Sequence, residues 1–214
     1  MRDPNKRAAM EVHGLEPALR FVLRWEGGFV DHPDDPGGRT NKGVTQKVYD
    51  GWRARQGLPL QDVKQIADAE VHAIYASDYW LPPRCDLLAA PLDIVQFDTA
   101  VNMGVGRAVR FLQASLGCGV DGGFGPATER AVAGCDSAAV LAAYCQRRED
   151  FYRGLAQKNP KLAVFLKGWM NRLDALRAEV GVPGFAATRA APDFGDAAYI
   201  ARIPDIGEDP SADD

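Results

Sequence analysis

Apolar residues recur along this chain at the spacing of an α-helix, segment after segment, and each segment stops at Gly or Pro. In "EPALRFVLRWEGG", Ala18, Phe21, Val22 and Trp25 fall at i, i+3, i+4 and i+7, with Gly27 and Gly28 as the stop. A second helix is expected near 46–56, ending at "GLP". A third runs from about Asp68, read as its N-cap, through "AEVHAIYASDYW" to Pro82 and Pro83. "LDIVQFDTAVNMG" reads as a buried helix with Leu92, Ile94, Phe97 and Val101 inward, broken at Gly104 and Gly106. Val105, Ala108, Val109, Leu112 and Leu116 repeat at helical spacing, "GCGVDGGFGPATERA" turns into a new helix, and "DSAAVLAAYCQRREDFYRGLAQ" starts a long one. Asn159 and Pro160 open a last helix with Phe165, Trp169, Leu173 and Leu176 on one side, closed near Gly181. A chain patterned this way, with about seven helices and little strand, is mainly α. Its 214 residues, 46% of them hydrophobic, suffice to bury a core.

One stretch breaks the pattern. "EGGFVDHPDDPGGRTNKGVT", Glu26 to Thr45, is long, polar and rich in glycine. A carboxylic acid that protonates a glycosidic oxygen works where burial against aromatic surface favours its neutral form, and Glu26 ends a helix between Trp25 and Phe29. Its partner must be a second polar group several ångströms away, holding a water or stabilising charge on the sugar ring. A fully extended chain from Glu26 to Asp35 spans roughly 30 Å, so only a loop that turns back can bring them together. "HPDDPGG" supplies that turn: Pro33 and Pro36 fix φ, Asp34 and Asp35 bond their own backbone, and Gly37 and Gly38 permit positive φ. The return strand, with room for a short hairpin, offers Thr40, Asn41 and Thr45 to orient water. The plainer reading, that Glu26 merely ends a helix and the aspartates cap turns, stands beside this one and is the better one for Asp34.

Composition narrows the partners. A net charge of −4 and a pI near 5.4 argue against broad phosphate-backbone binding, and hence against nucleic acid. No window reaches the apolar length of a membrane span, and "MRDPNKRAAMEVHG" lacks the apolar core of a secretory signal, so synthesis in the cytoplasm is expected. His13, His32 and His72 show no ligand spacing, so neither a metal nor another cofactor is expected, and Asp68 with His72 reads as a solvated i, i+4 pair. Cys85, Cys118, Cys135 and Cys145 have no framework spacing and read as buried, reduced thiols.

"EGGFVDHPDDPGGRTNKGVT", then "IYASDYW", then "FDTAVNMG" resemble, in order, the motifs of the glycoside hydrolase family 108 lysozymes, N-acetylmuramidases of secretion-activator or endolysin type. "VDGGFGPATERAV" and "GWMNRL" resemble the peptidoglycan-binding module that commonly follows, so that the likeness covers about residues 15–180. The resemblance implies a lysozyme-like helical domain over 11–104 with a short β-hairpin near its N-terminus and a helical peptidoglycan-binding module over 105–181; from about Phe185 the periodicity fades and "IPDIGEDPSADD" is acidic and proline-containing, so a flexible tail is expected over 185–214. It carries the catalytic acid onto Glu26; the Glu-to-Asp spacing followed by a Thr-containing return also resembles phage-type lysozymes, which more weakly nominates Asp35 and one of Thr40 or Thr45. Phe29 stands where the family usually has Tyr, and Val44 where it usually has Ile.

Tyr79, Trp80, Asp98 and Asn102 are candidates to line a sugar groove, although a Trp before Pro-Pro reads better as core. Asn102, on an apolar helix, needs a backbone partner or a ligand. Asp121, Phe124 and Thr128 are the wall-binding candidates of the second module, where Asp121 and Thr128 also suit a turn and a helix cap. The expected function is a muramidase cleaving the β-1,4 bond between N-acetylmuramic acid and N-acetylglucosamine, reaching the wall through a holin or another export or release system. Its rivals are a non-catalytic wall-binding or secretion-accessory protein and a lytic transglycosylase.

Overall fold

Helix α1, Leu15–Leu23, buries the expected stripe: Ala18, Phe21, Val22 and, just past its end, Trp25 all lie inside. The computed structural model describes residues 14–31 and 38–183. His13, His32, Asp34, Asp35 and the tail 185–214 lie outside the described residues. The opening loop does turn back, because Val30 and Thr40 exchange backbone hydrogen bonds of 2.8 and 2.9 Å. The chain then forms a two-stranded antiparallel hairpin, β1 (Thr40–Asn41) and β2 (Val44–Thr45), with Asn41 opposite Val44. Lys42 and Gly43 are its turn, both at positive φ (50° and 74°), the geometry that suits the twist of a tight hairpin.

Thr45 ends the hairpin and caps α2, Gln46–Arg55, its hydroxyl oxygen accepting from Val48 N. Helix α3, Asp68–Tyr75, has Ala67 rather than Asp68 at its N-cap. Asp68 sits one position inside, and Glu70 reaches back to accept from Ala67 N. The helix continues as a π-turn, Ala76–Trp80, in which Leu81 N bonds to Ala76 O, five residues back. That wider turn directs Trp80 fully into the core while Tyr79 stays half-buried. Asp68 and His72 do not pair with each other: Asp68 bonds Lys42, and His72 faces Glu16.

Helix α4, Leu92–Met103, is buried on nearly every side, and α1, α5 and α7 pack around it. Leu92, Phe97 and Val101 are fully inside and Ile94 only partly. Gly104 alone separates α4 from α5, Val105–Leu116, and Gly106 belongs to α5. Then come α6 (Pro126–Ala133), α7 (Ser137–Lys158), a single 3-10 turn opened by Pro160, and α8 (Ala163–Glu179), which packs on α7. The described residues thus hold eight α-helices and one small hairpin, a mainly α fold. One continuous cluster of buried apolar residues runs from Leu15 to Val180 and draws on both halves of the chain. Of the four free cysteines, Cys85 and Cys145 are buried as expected, whereas Cys118 and Cys135 are half-buried.

Candidate active site

Glu26 follows the last turn of α1, its backbone N–H still bonded to Val22 O, so the side chain starts from a fixed position. The side chain is 10% exposed. One carboxylate oxygen, Oε1, accepts from Arg172 Nη1 at 3.0 Å. The other, Oε2, faces the hairpin turn: a Cβ added at Gly43 would lie 2.7 Å from it and 2.3 Å from the Tyr75 hydroxyl. Only glycine fits between these groups. Tyr75 donates to Lys42 O at 3.0 Å and so ties α3 to the same turn. The hairpin is anchored from its far side as well, since the Asn41 amide donates to Val63 and Lys64 carbonyls and Gln46 bonds Gln61 O and Val63 N.

Behind Glu26 lies a buried chain of charges. Arg172, on α8, is 1% exposed and its Nε donates to Asp98 Oδ1 at 2.9 Å. Its Nη2 is 2.8 Å from the same oxygen but out of line for a hydrogen bond. The second oxygen of Asp98 takes Arg148 Nη1 at 2.8 Å. Arg148 also donates to the Tyr152 hydroxyl, which donates in turn to Asn102 Oδ1 at 2.7 Å. Tyr152 stacks on Trp169 at 5.4 Å. Burial alone would push the Asp98 carboxyl up, but Arg172 and Arg148 outweigh it and hold it below the usual carboxylate range. Burial likewise works against the charge on Arg172, and Asp98 and Glu26 together more than restore it. Each guanidinium is hydrogen-bonded to the Asp98 carboxylate they share, which is the condition for holding such charges inside a protein.

The nominated residues therefore separate. Glu26 lies against the hairpin turn at Gly43 and beside the Tyr75 hydroxyl, and Tyr79 touches the Tyr75 ring at 5.7 Å. Asp98 is not part of a groove: it is 0% exposed, with both oxygens held by arginines. Asn102, also buried, has the Tyr152 hydroxyl as the partner its burial demanded. Thr40 donates to Gly38 O, Asn41 anchors the hairpin and Thr45 caps α2, each a local role visible in its hydrogen bonds. In the second half, Asp121 and Thr128 converge on the buried amide of Gln113, which also takes the Asp121 and Gly122 N–H groups. The bonds from Gln113 and from Gly123 N hold the Asp121 carboxyl below its usual range, and Phe124 packs partly against the core. This cluster shapes the turn into α6.

Arg172, Arg148, Tyr152, Tyr75 and Gly43 were not singled out from the sequence. For the arginines a signal exists. Arg172 lies three residues after Trp169 on the apolar stripe of α8, and Arg148 four after Tyr144 on that of α7, where a charge must find a partner.

Among the described residues no group of His, Cys, Asp and Glu is arranged to hold a metal ion, and no helix is long and apolar enough to cross a membrane. Two family models match the chain, one described as "Glycosyl hydrolase 108" over residues 19–104 and one as "Predicted Peptidoglycan domain" over 107–174. No curated protein sequence matches. Among solved structures, that of Brucella abortus SagA is similar, at 32% identity and a TM-score of 0.64, over 77% of this chain and 91% of that one. With that likeness and the two matched segments, the chain belongs to the glycosyl hydrolase 108 family, as a glycoside hydrolase that acts on peptidoglycan.

Proposed function

We propose that the enzyme is a muramidase, hydrolysing the β-1,4 bond between N-acetylmuramic acid and N-acetylglucosamine, with Glu26 as the general acid. The observation that carries this reading is the setting of the Glu26 carboxyl. Arg172 occupies Oε1, and Oε2 is turned toward the hairpin turn at Gly43. A carboxylic acid whose one oxygen accepts from a guanidinium carries its proton on the other. Oε2 is thus the atom that delivers a proton to the leaving glycosidic oxygen. Departure of that oxygen leaves positive charge on the sugar ring, and attack on the anomeric carbon then needs a water or a second carboxylate on the other side. Asp35 and a water held by Thr40 or Thr45 are the candidates for that second role. Delivery to the wall is assigned to a holin or another export or release system.

Product analysis on purified peptidoglycan tests the reading. Wild type is expected to release fragments with free reducing ends, Glu26→Gln to release none while remaining folded at the assay temperature, and Asp35→Asn to lose activity if its carboxylate serves. Fragments ending in 1,6-anhydro sugar would instead identify a lytic transglycosylase. Wall retention without any cleavage by the wild type would identify a binding protein. A Glu26→Gln variant that clears walls at the normal rate would end the proposal.

A further inference from the structure

We propose that Arg172 is a positioning residue for Glu26, and that the C-terminal module which carries it is a working part of the hydrolytic site as well as a wall-binding element. The inference rests on the reading of Glu26 as the general acid.

The Glu26 side chain has several rotatable bonds and projects from the residue after a helix, so burial of its neighbours does not by itself fix the plane of its carboxyl. The bond from Arg172 Nη1 to Oε1 does, provided the guanidinium is itself immobile. It is: Asp98 grips its Nε side, Arg148 holds the other oxygen of Asp98, and Tyr152 and Asn102 close the chain. Every member of that supporting chain is buried. Glu26, Asp98 and Asn102 belong to the segment matched as glycosyl hydrolase, and Arg148, Tyr152 and Arg172 to the segment matched as peptidoglycan domain. The only residue between α4 and α5 is Gly104, and the apolar core is continuous across the junction. A module tethered only to hold the wall would need none of this. An arginine taken out of water and aimed at the carboxyl read as the general acid is better explained by orientation of that carboxyl.

The test uses the full chain and soluble glycan strands prepared from peptidoglycan, with kcat and KM measured separately and retention on insoluble wall material as a second readout. Arg172→Gln removes the charge and the fork. Arg172→Lys keeps a cation beside Asp98 and removes only the planar fork, so that the interior keeps its charge balance should the uncharged variant fail to fold. Both are expected to lose about a hundred-fold in kcat, the cost of a carboxyl misplaced by about an ångström, with KM and wall retention within about twofold of wild type. A purely structural role would lower the melting temperature and the folded fraction, and with them wall retention as well as turnover. A folded variant of either kind with wild-type kcat, or one that loses KM and retention in step with kcat, overturns the proposal. Glu26→Gln is run alongside. If it remains active, the reading of Glu26 fails first. If it is dead while the Arg172 variants turn over normally, only the positioning role falls.

Discussion

Replacing Gly43 by Ala probes the contact between hairpin and acid directly. Gly43 sits at φ +74°, where an L-residue pays about 1–2 kcal/mol for its Cβ. The added carbon would also start 2.7 Å from Glu26 Oε2 and 2.3 Å from the Tyr75 hydroxyl. Ordinary contact begins at 3.4 Å, so the oxygen must retreat by about 0.7 Å and the hydroxyl by about 1.1 Å, or the turn must shift by a similar amount. Oε1 is pinned by Arg172 and cannot follow freely, which makes rotation of the carboxyl the natural response. A displacement of that size at a reacting group costs on the order of a hundred-fold in rate. Gly57→Ala is the control, because Gly57 has φ +68° but nothing within 4 Å of an added Cβ. Both variants should lose about 1–2 kcal/mol by denaturant unfolding from backbone strain, and Gly43→Ala somewhat more. Only Gly43→Ala should lose kcat, read as reducing-end release from peptidoglycan well below either melting temperature. A Gly43→Ala enzyme as fast as Gly57→Ala would refute the placement of Glu26 against the turn as a requirement for turnover.

Two further outcomes follow from the buried polar groups. Asp98→Asn leaves two guanidiniums without their shared counter-ion and should cost about 3–5 kcal/mol at neutral pH. The Asp98 carboxyl is held below its unfolded value, so its contribution is complete above that value, about pH 4, and is lost as pH falls through the folded one. Unfolding curves of wild type and Asp98→Asn should therefore converge in acid; a constant gap down to pH 2 would count against the pairing. Gln113→Leu strands the Asp121 and Gly122 N–H groups and removes a donor from Thr128, and should cost about 2–3 kcal/mol. If the variant melts like wild type, the turn into α6 is not held by that amide.

What could be read from the sequence was whatever lies close together along it. The stripes of α1 and α8, the helix from Gln46 and the hairpin after "DDPGG" follow from spacings of a few residues, and they appear where expected. Asp68 looked like an N-cap because Asp is a good one, but Glu70 already supplies the return bond to Ala67 N while also taking Tyr49 and Arg53. The base paired with Asp68 in space is not its helix neighbour His72 but Lys42, across the turn that Tyr75 also grips.

The site was half legible for the same reason. Glu26 could be picked out because its aromatic neighbours and its helix end are adjacent in the chain. Asp98 looked like a groove residue because a carboxylate beside Asn102 on an apolar helix asks for a partner, and a sugar is one possible answer. The actual answer is 50 and 74 residues away, in Arg148 and Arg172, and the contact to Glu26 spans 146. No periodicity links such positions. Yet each half of the network leaves the same local trace, a charge on a stripe that should be apolar: Asp98 on α4, Arg148 on α7, Arg172 on α8. Taken singly, each reads as an anomaly or as a ligand. Taken together with Glu26 just past α1, they make two acids and two bases with one economical solution, which is to pair with one another. Glu26 is the member of that set that keeps an oxygen turned toward the hairpin.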